Sequence, residues 1–239
     1  MMKLLKKLMA QSDIDAQEGS TAVSPSVIEA FIANEANPFL VSFPRTGSHW
    51  LRMLIELYFE RPSLVRVFYY PDQHDYMFVH THDMDIDLVR THVIYLYRDP
   101  VDTIYSQLNY HKENPDDEVQ IAHWSDLYGR HLDKWLHQET FTTQKMVLTY
   151  EGMKRDLPAE FAKVTRFFGQ PFDPDRLQRA SERVTKNEVK RKTQHDPQVI
   201  QLQPEYEMTR QVFREKHGAL VWDVLTAERA HLKDDFATP

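Results

Sequence analysis

Two stretches of the 239-residue sequence carry side chains that could hold a phosphate. The first is Phe43-Pro44-Arg45-Thr46-Gly47-Ser48-His49-Trp50, which lies between a short apolar run and a helical pattern. Backbone N–H groups at a helix start have no intrahelical partner and carry the positive end of the dipole, so they accept an anion. Arg45 adds a bidentate cation, Thr46 and Ser48 add hydroxyls, and Gly47 permits close backbone approach. The second stretch runs from Tyr97 to Ser106, with Arg98 ending a strand pattern and Ser106 in the helix that follows. Eight helical residues turn about 800° and rise about 12 Å, and the long arginine side chain lets both groups reach one phosphate. An arginine here could instead cap the helix or pair with Asp102. A third stretch sets His80 and His82 two positions apart, on one face of a strand, with Asp83 beside them; such a trio could also share a metal.

Composition narrows the chemistry. The six glycines are never closer than 17 positions, which excludes GxGxxG and GxxxxGK[ST], so any phosphate cradle works with one glycine. With no cysteine there are no disulfides, thiolate metal sites or thiol nucleophiles; the count fits a reducing compartment, and a cytoplasmic location is expected. A net charge of −7 argues against general nucleic-acid binding and requires any anion site to be local. No run of about eighteen apolar residues occurs, so no membrane span is expected.

The elements that must position these residues follow from periodicity. Residues 1–10 read as a frayed amphipathic helix or surface anchor and 11–25 as a polar linker, so 1–37 is expected to be an extension to a domain at 38–239. Strands are expected at Phe39–Phe43, Tyr76–His80, His92–Tyr97 and Met146–Tyr150. Helices should follow the first loop, start at Asp99-Pro100 as N-cap and N1, cover 121–137, and end near Gly169. Further helices are expected near 173–183, 205–216 and 219–232. Alternating strands and helices predict an α/β fold: three layers, a mostly parallel central sheet with helices on both faces, and a P-loop-like strand–loop–helix phosphate site.

Loop 43–50 resembles the 5′-phosphosulfate loop of the sulfotransferase family, usually written YPKSGTTWL. Segment 97–106 resembles its 3′-phosphate motif, and Leu148-Thr149-Tyr150-Glu151-Gly152-Met153-Lys154 resembles its YEDMK strand end. The resemblance implies sulfuryl transfer from 3′-phosphoadenosine 5′-phosphosulfate (PAPS), without a metal, to a small-molecule, sugar or lipid hydroxyl. It gives Arg45 the position of the usual catalytic lysine. It gives Thr46, Gly47, Ser48 and His49 the 5′-phosphate, Trp50 and Tyr150 the adenine, and Arg98 and Ser106 the 3′-phosphate. Val79-His80-Thr81-His82-Asp83 resembles KTHxP, which makes His82 the general base, with Asp83, Asp85 or Glu56 as substitutes.

The family's RKGxxGxW loop is not found. The basic run 186–193 stands in its place, with Thr185, Arg191 and Lys192 as candidate nucleotide contacts, or else it is a solvated helix face. Tyr69, Tyr70, Tyr110, His111 and Trp124 are candidate acceptor contacts. The rival readings are a metal-dependent hydrolase built on His80, His82 and Asp83, a nucleotide kinase, and a non-catalytic nucleotide-binding protein.

Overall fold

A computed structural model describes residues 2–17, 23–138, 142, 144–193 and 205–237. Among these residues a four-stranded parallel sheet forms the centre, with strand order β2-β1-β3-β4. The strands are β1 (Phe39–Ser42), β2 (Val79–Thr81), β3 (His92–Tyr97) and β4 (Gln144–Thr149). β2 is shorter and later than the expected Tyr76–His80: Met77 N instead donates to Pro62 O, and Leu64 N to Phe78 O.

Strand alternation divides the core in two. Phe39, Val41, Val93, Tyr95 and Tyr97 face one side. There they meet α1 (Met2–Gln17), α2 (Pro25–Ala33), α4 (Pro100–His111), α5 (Glu118–His137) and α10 (Tyr206–Thr226). Leu40, Ile94, Leu96, Met146 and Leu148 face the other side. That side is covered by α3 (Ser48–Phe59), α6 (Tyr150–Arg155), α7 (Leu157–Phe167), α8 (Pro174–Arg183) and α9 (Lys186–Lys192). The three-layer α/β expectation therefore holds.

Local signals explain most helix starts. Asp99 caps α4 by accepting from Asp102 N at 2.9 Å, with Pro100 at the first helical position. Asp117, Asp156 and Asp173 cap α5, α7 and α8 in the same way. Gly169, at φ 65°, takes the left-handed turn after α7.

Three expectations change. The expected linker at 11–25 begins as helix, because α1 runs on to Gln17. α1 is also no surface anchor: Leu8 is buried in the core, and the Ser12 hydroxyl accepts from Val23 N and donates to Val23 O. The two helices expected near the C-terminus are one, α10, running straight through Gly218, followed by a 3-10 turn at Ala230–Phe236. Gly218 lies within α10 and does not end the helix, and a Cβ there would meet only Val101 Cγ2, at an ordinary 3.9 Å.

Helix α5 fastens the carboxyl ends of two strands. The Tyr128 hydroxyl accepts from Arg98 N at 3.1 Å and donates to Arg98 O at 2.8 Å. His131 donates from Nε2 to His82 O at 3.0 Å and accepts at Nδ1 from the Tyr95 hydroxyl at 2.9 Å. Lys134 forms a fully buried ion pair with Asp83 at 2.7 Å and donates to Leu88 O at 2.7 Å; Trp135 Nε1 donates to the same carboxylate oxygen. Removing one member of such a pair leaves an uncompensated buried charge, so Lys134→Met should cost about 3–5 kcal/mol in denaturant unfolding. An unchanged unfolding midpoint would refute the structural weight given to this pair.

Candidate active site

The carboxyl ends of all four strands lie on one edge of the sheet, where crevices in parallel α/β folds bind ligands. At the end of β1, Arg45 (φ 71°) and Gly47 (φ 94°) both take left-handed conformations and turn the chain into α3. A side chain at Gly47 would be strained by this φ, and its Cβ would lie 2.6 Å from Tyr150 Cδ2. The loop therefore lies directly against the Tyr150 ring, and Trp50 meets the same ring edge-on at 5.8 Å.

Arg45 and Arg98 meet over this loop. Arg45 donates from Nε to Ser106 Oγ at 3.1 Å and stands 5.6 Å from the centre of the Tyr110 ring. Arg98, only 9% exposed, donates to Arg45 O at 3.1 Å and to Asp102 at 3.3 Å, and lies 4.6 Å over Tyr150. Its Nε is buried and finds no hydrogen-bond partner among the described residues. The structure thus brings together Arg45, Gly47, Trp50, Arg98, Ser106 and Tyr150. Thr46 is turned inward, donating to Phe43 O at 2.8 Å, and Ser48 is buried at the first turn of α3.

Three residues of α10 join this group. Tyr206 is hydrogen-bonded to Ser106, and burial raises its phenol pKa. Arg210 reaches Asp102 at 3.5 Å, and Arg214 pairs with Asp102 at 2.6 Å and Asp99 at 3.0 Å. Their spacing of four residues puts all three on one helix face. That stripe is the sequence signal that could have found them.

His82 lies at the end of β2. Its Nδ1 faces Ser42 O at 2.8 Å. A carbonyl only accepts, so Nδ1 carries the proton and Nε2 keeps its lone pair. Burial, with smaller contributions from the charges of Lys7, Arg66 and Arg52, lowers its pKa to about 4 against the opposing Ser42 bond. The His80 ring lies 4.6 Å away with Nε2 at 3.1 Å from the Ser42 hydroxyl. His49 meets Phe68 edge-on at 5.9 Å. Burial holds the pKa of both His80 and His49 well below the ordinary value.

The substitute bases are committed elsewhere. Asp83 belongs to Lys134 and Trp135. Glu56 accepts from the Ser63 hydroxyl and from Phe68 N and Tyr69 N, and burial raises its pKa. Asp85 is exposed and lies 3.7 Å from Lys3. His80, His82 and Asp83 therefore form no common ligand set, and among the described residues no three His, Cys, Asp or Glu side chains are grouped to hold a metal.

The remaining expected contacts are engaged with one another. Thr185 caps α9, Arg191 is held bidentately by Glu188, and Lys192 donates to Phe68 O. Tyr69 stacks beneath Lys192 and Arg183, and Tyr70 bonds Arg183. His111 stacks on Trp124, whose Nε1 donates to Glu113.

A sequence model of the sulfotransferase domain matches residues 72–235, more than half of the chain, taking in His82, Arg98, Ser106, Tyr150 and α10 but starting after loop 43–50. Human sulfotransferase 2B1 is 24% identical over 180 residues, covering 58% of this chain and 48% of that protein. The chain thus spans about half the length of that relative. Retinol dehydratase in complex with androsterone and inactive cofactor PAP is 16% identical with a TM-score of 0.51, covering 82% of this chain and 85% of that one. Mouse sulfotransferase SULT7A1 complexed with PAP is 17% identical with a TM-score of 0.48, covering 87% and 94%. At such identity the retinol dehydratase likeness speaks to the fold alone. With a domain match of this extent laid over a parallel α/β fold, the chain belongs to the sulfotransferase family.

Proposed function

We propose that the chain transfers a sulfuryl group from PAPS to a hydroxyl or amine acceptor by in-line displacement. One observation carries the reading. Arg45, Arg98 and Ser106, drawn from two strand ends and a helix, converge beside the first turn of α3, and Arg98 keeps a buried Nε without a partner among the described residues. A buried donor of this kind fits a phosphate oxygen. Arg98 and Ser106 would hold the 3′-phosphate, with Tyr206 and Arg210 beside them. Gly47, Ser48 and His49 at the start of α3 would hold the 5′-phosphate, and Trp50 and Tyr150 the adenine. Thr46 would support the loop through Phe43 O.

When bound, PAPS supplies an electrophilic sulfuryl group and leaves as adenosine 3′,5′-bisphosphate with the electron pair of the broken S–O bond. The backbone N–H groups at the start of α3 would face the charge that develops on the leaving oxygen, and the Arg45 guanidinium, here bonded to Ser106, would turn toward it; both would stabilise the transition state more than the ground state. Arginine does this as a permanent cation and not as a proton donor. His82 Nε2, unprotonated because Nδ1 serves Ser42 O, would take the acceptor's proton as its oxygen bonds to sulfur. Thr185, Arg191 and Lys192, tied to Glu188 and Phe68, would at most cover the nucleotide from α9.

Arg98→Ala should raise the dissociation constant of adenosine 3′,5′-bisphosphate about tenfold or more while changing that of adenosine 5′-phosphate little; equal losses would refute the 3′-phosphate role. Replacing His82 with alanine should cut turnover about 10²–10⁴-fold and leave nucleotide affinity intact. Near-normal turnover would place the base elsewhere, and nucleotide-dependent thermal stabilisation without turnover on any acceptor would favour a binding protein.

The same histidines set an acid limit on stability. Unfolded, they take up protons near 6.5, whereas folded His82 resists until about 4 and His131 until about 3. Protons therefore favour the unfolded chain inside this window, so stability is full above about 6.5 and falls toward 4. Unfolding midpoints measured across that range test it, and a flat profile would contradict the neutral buried histidines.

A further inference from the structure

Asp102, in the first turn of α4, is shared by three arginines: Arg98 at the end of β3, and Arg210 and Arg214 on α10. Its two oxygens are used unequally. Oδ1 takes Arg214 Nη2 at 2.6 Å, a short charge-assisted bond. Oδ2 lies 3.3 Å from Arg98 Nη2 and 3.5 Å from Arg210 Nη1, so both of those contacts are loose. Only 15% of the Asp102 side chain is exposed, so water screens these charges weakly. Asp99 takes a further bond from Arg214 at 3.0 Å, and Glu207 pairs with Arg210. Within this group three arginines therefore meet three carboxylates, and their charges cancel. Asp102 Oδ2 lies where Arg98 and Arg210 converge, one turn before Ser106.

We propose that Asp102 is a built-in competitor for the 3′-phosphate: its Oδ2 engages Arg98 and Arg210 until the phosphate takes them over, while Arg214 keeps Oδ1. The inference rests on the 3′-phosphate reading and adds to it how the site lets its product go. A phosphate entering this group meets the Asp102 charge at close range, and that repulsion offsets part of what the two guanidiniums contribute. Arg210 is suited to the exchange, since its contact with Asp102 is the longest of the three and its side chain is 26% exposed. Arg214, through Oδ1 and Asp99, ties the carboxylate to α10, so the competing charge stays in place when its other partners leave. Asp102 thereby sets nucleotide affinity from within the site and speeds release of the 3′-phosphorylated product. A carboxylate that only positioned the arginines would act in the opposite sense, because its loss would then weaken binding.

Asp102→Asn tests the competition, because it removes the charge and keeps the backbone N–H that Asp99 caps. Adenosine 3′,5′-bisphosphate and adenosine 5′-phosphate are titrated calorimetrically into the full chain, and their dissociation is followed by stopped flow. The variant should bind the bisphosphate about fivefold or more tightly, through slower dissociation, and the monophosphate within about twofold of the parent protein. Arg210→Gln should weaken the bisphosphate about fivefold or more and leave the monophosphate within the same margin. Thermal unfolding checks that both variants are folded. Bisphosphate affinity that is unchanged or lower in Asp102→Asn would overturn the inference, and so would bisphosphate binding indifferent to Arg210→Gln. A parent protein that binds both nucleotides alike would overturn the 3′-phosphate reading and the inference with it. A parent that prefers the bisphosphate, with no tightening in Asp102→Asn, would overturn the inference alone.

Discussion

The site depends on a charge pair that never meets water. Lys134 on α5 and Asp83 after β2 are both fully buried, and their 2.7 Å contact is supplemented by Leu88 O and the Trp135 indole. Desolvating two ions is costly, and their attraction offsets that cost only where geometry and extra hydrogen bonds are good. Here the pair secures a turn in which Asp83 itself sits at φ 44°, a conformation that most side chains avoid. The residue before that turn is His82. One turn earlier on the same helix face, His131 holds the His82 carbonyl, and one turn before that Tyr128 holds both backbone groups of Arg98. One polar stripe on α5 thus sets the positions of the proposed base and of the arginine proposed to bind the 3′-phosphate.

The opposite side of the crevice depends on shape. Gly47 and Tyr150 occupy adjoining space, so the loop from β1 lies against the ring that begins α6. Arg98 lies over the other part of that ring and bonds the Arg45 carbonyl. The cations here are balanced by Asp99 and Asp102, which tie α10 to α4.

Much of this was legible in the sequence, and the exceptions have physical causes. Strand–loop–helix at 39–59, the Asp99-Pro100 start of α4 and the parallel alternation are local signals, since caps and periodicity act over a few residues. That Arg98 and Ser106 reach one place was readable because Arg98 ends β3 and Ser106 lies two turns into the helix that follows, whereas the bond from Arg45 to Ser106 was not expected. What failed was long-range. A Lys/Leu helix at 2–17 looks the same whether it lies on solvent or on a core, and only the Leu8 and Ser12–Val23 contacts decide. Asp83 looked like an available carboxylate because Lys134, 51 residues away, is invisible to local pattern. Tyr206, Arg210 and Arg214 escaped notice because they lie about a hundred residues from the segment they complete. The helices expected near 205–216 and 219–232 are joined, because α10 continues through Gly218.

The strand order has a consequence for how such a chain is made. Of the four described strands β1 comes first in sequence, yet it lies inside the sheet, between β2 and β3. A parallel partner requires a crossover, so Phe39–Ser42 leaves the ribosome with neither neighbour and waits for residues 79–81 and 92–97. Until then an apolar strand has both edges open, the condition in which nascent chains stick to one another or engage chaperones. The crevice cannot be assembled piecemeal. Its loop, arginine, imidazole and tyrosine each follow a different strand, so a nascent chain stopped before Tyr150 holds several of the parts but no site.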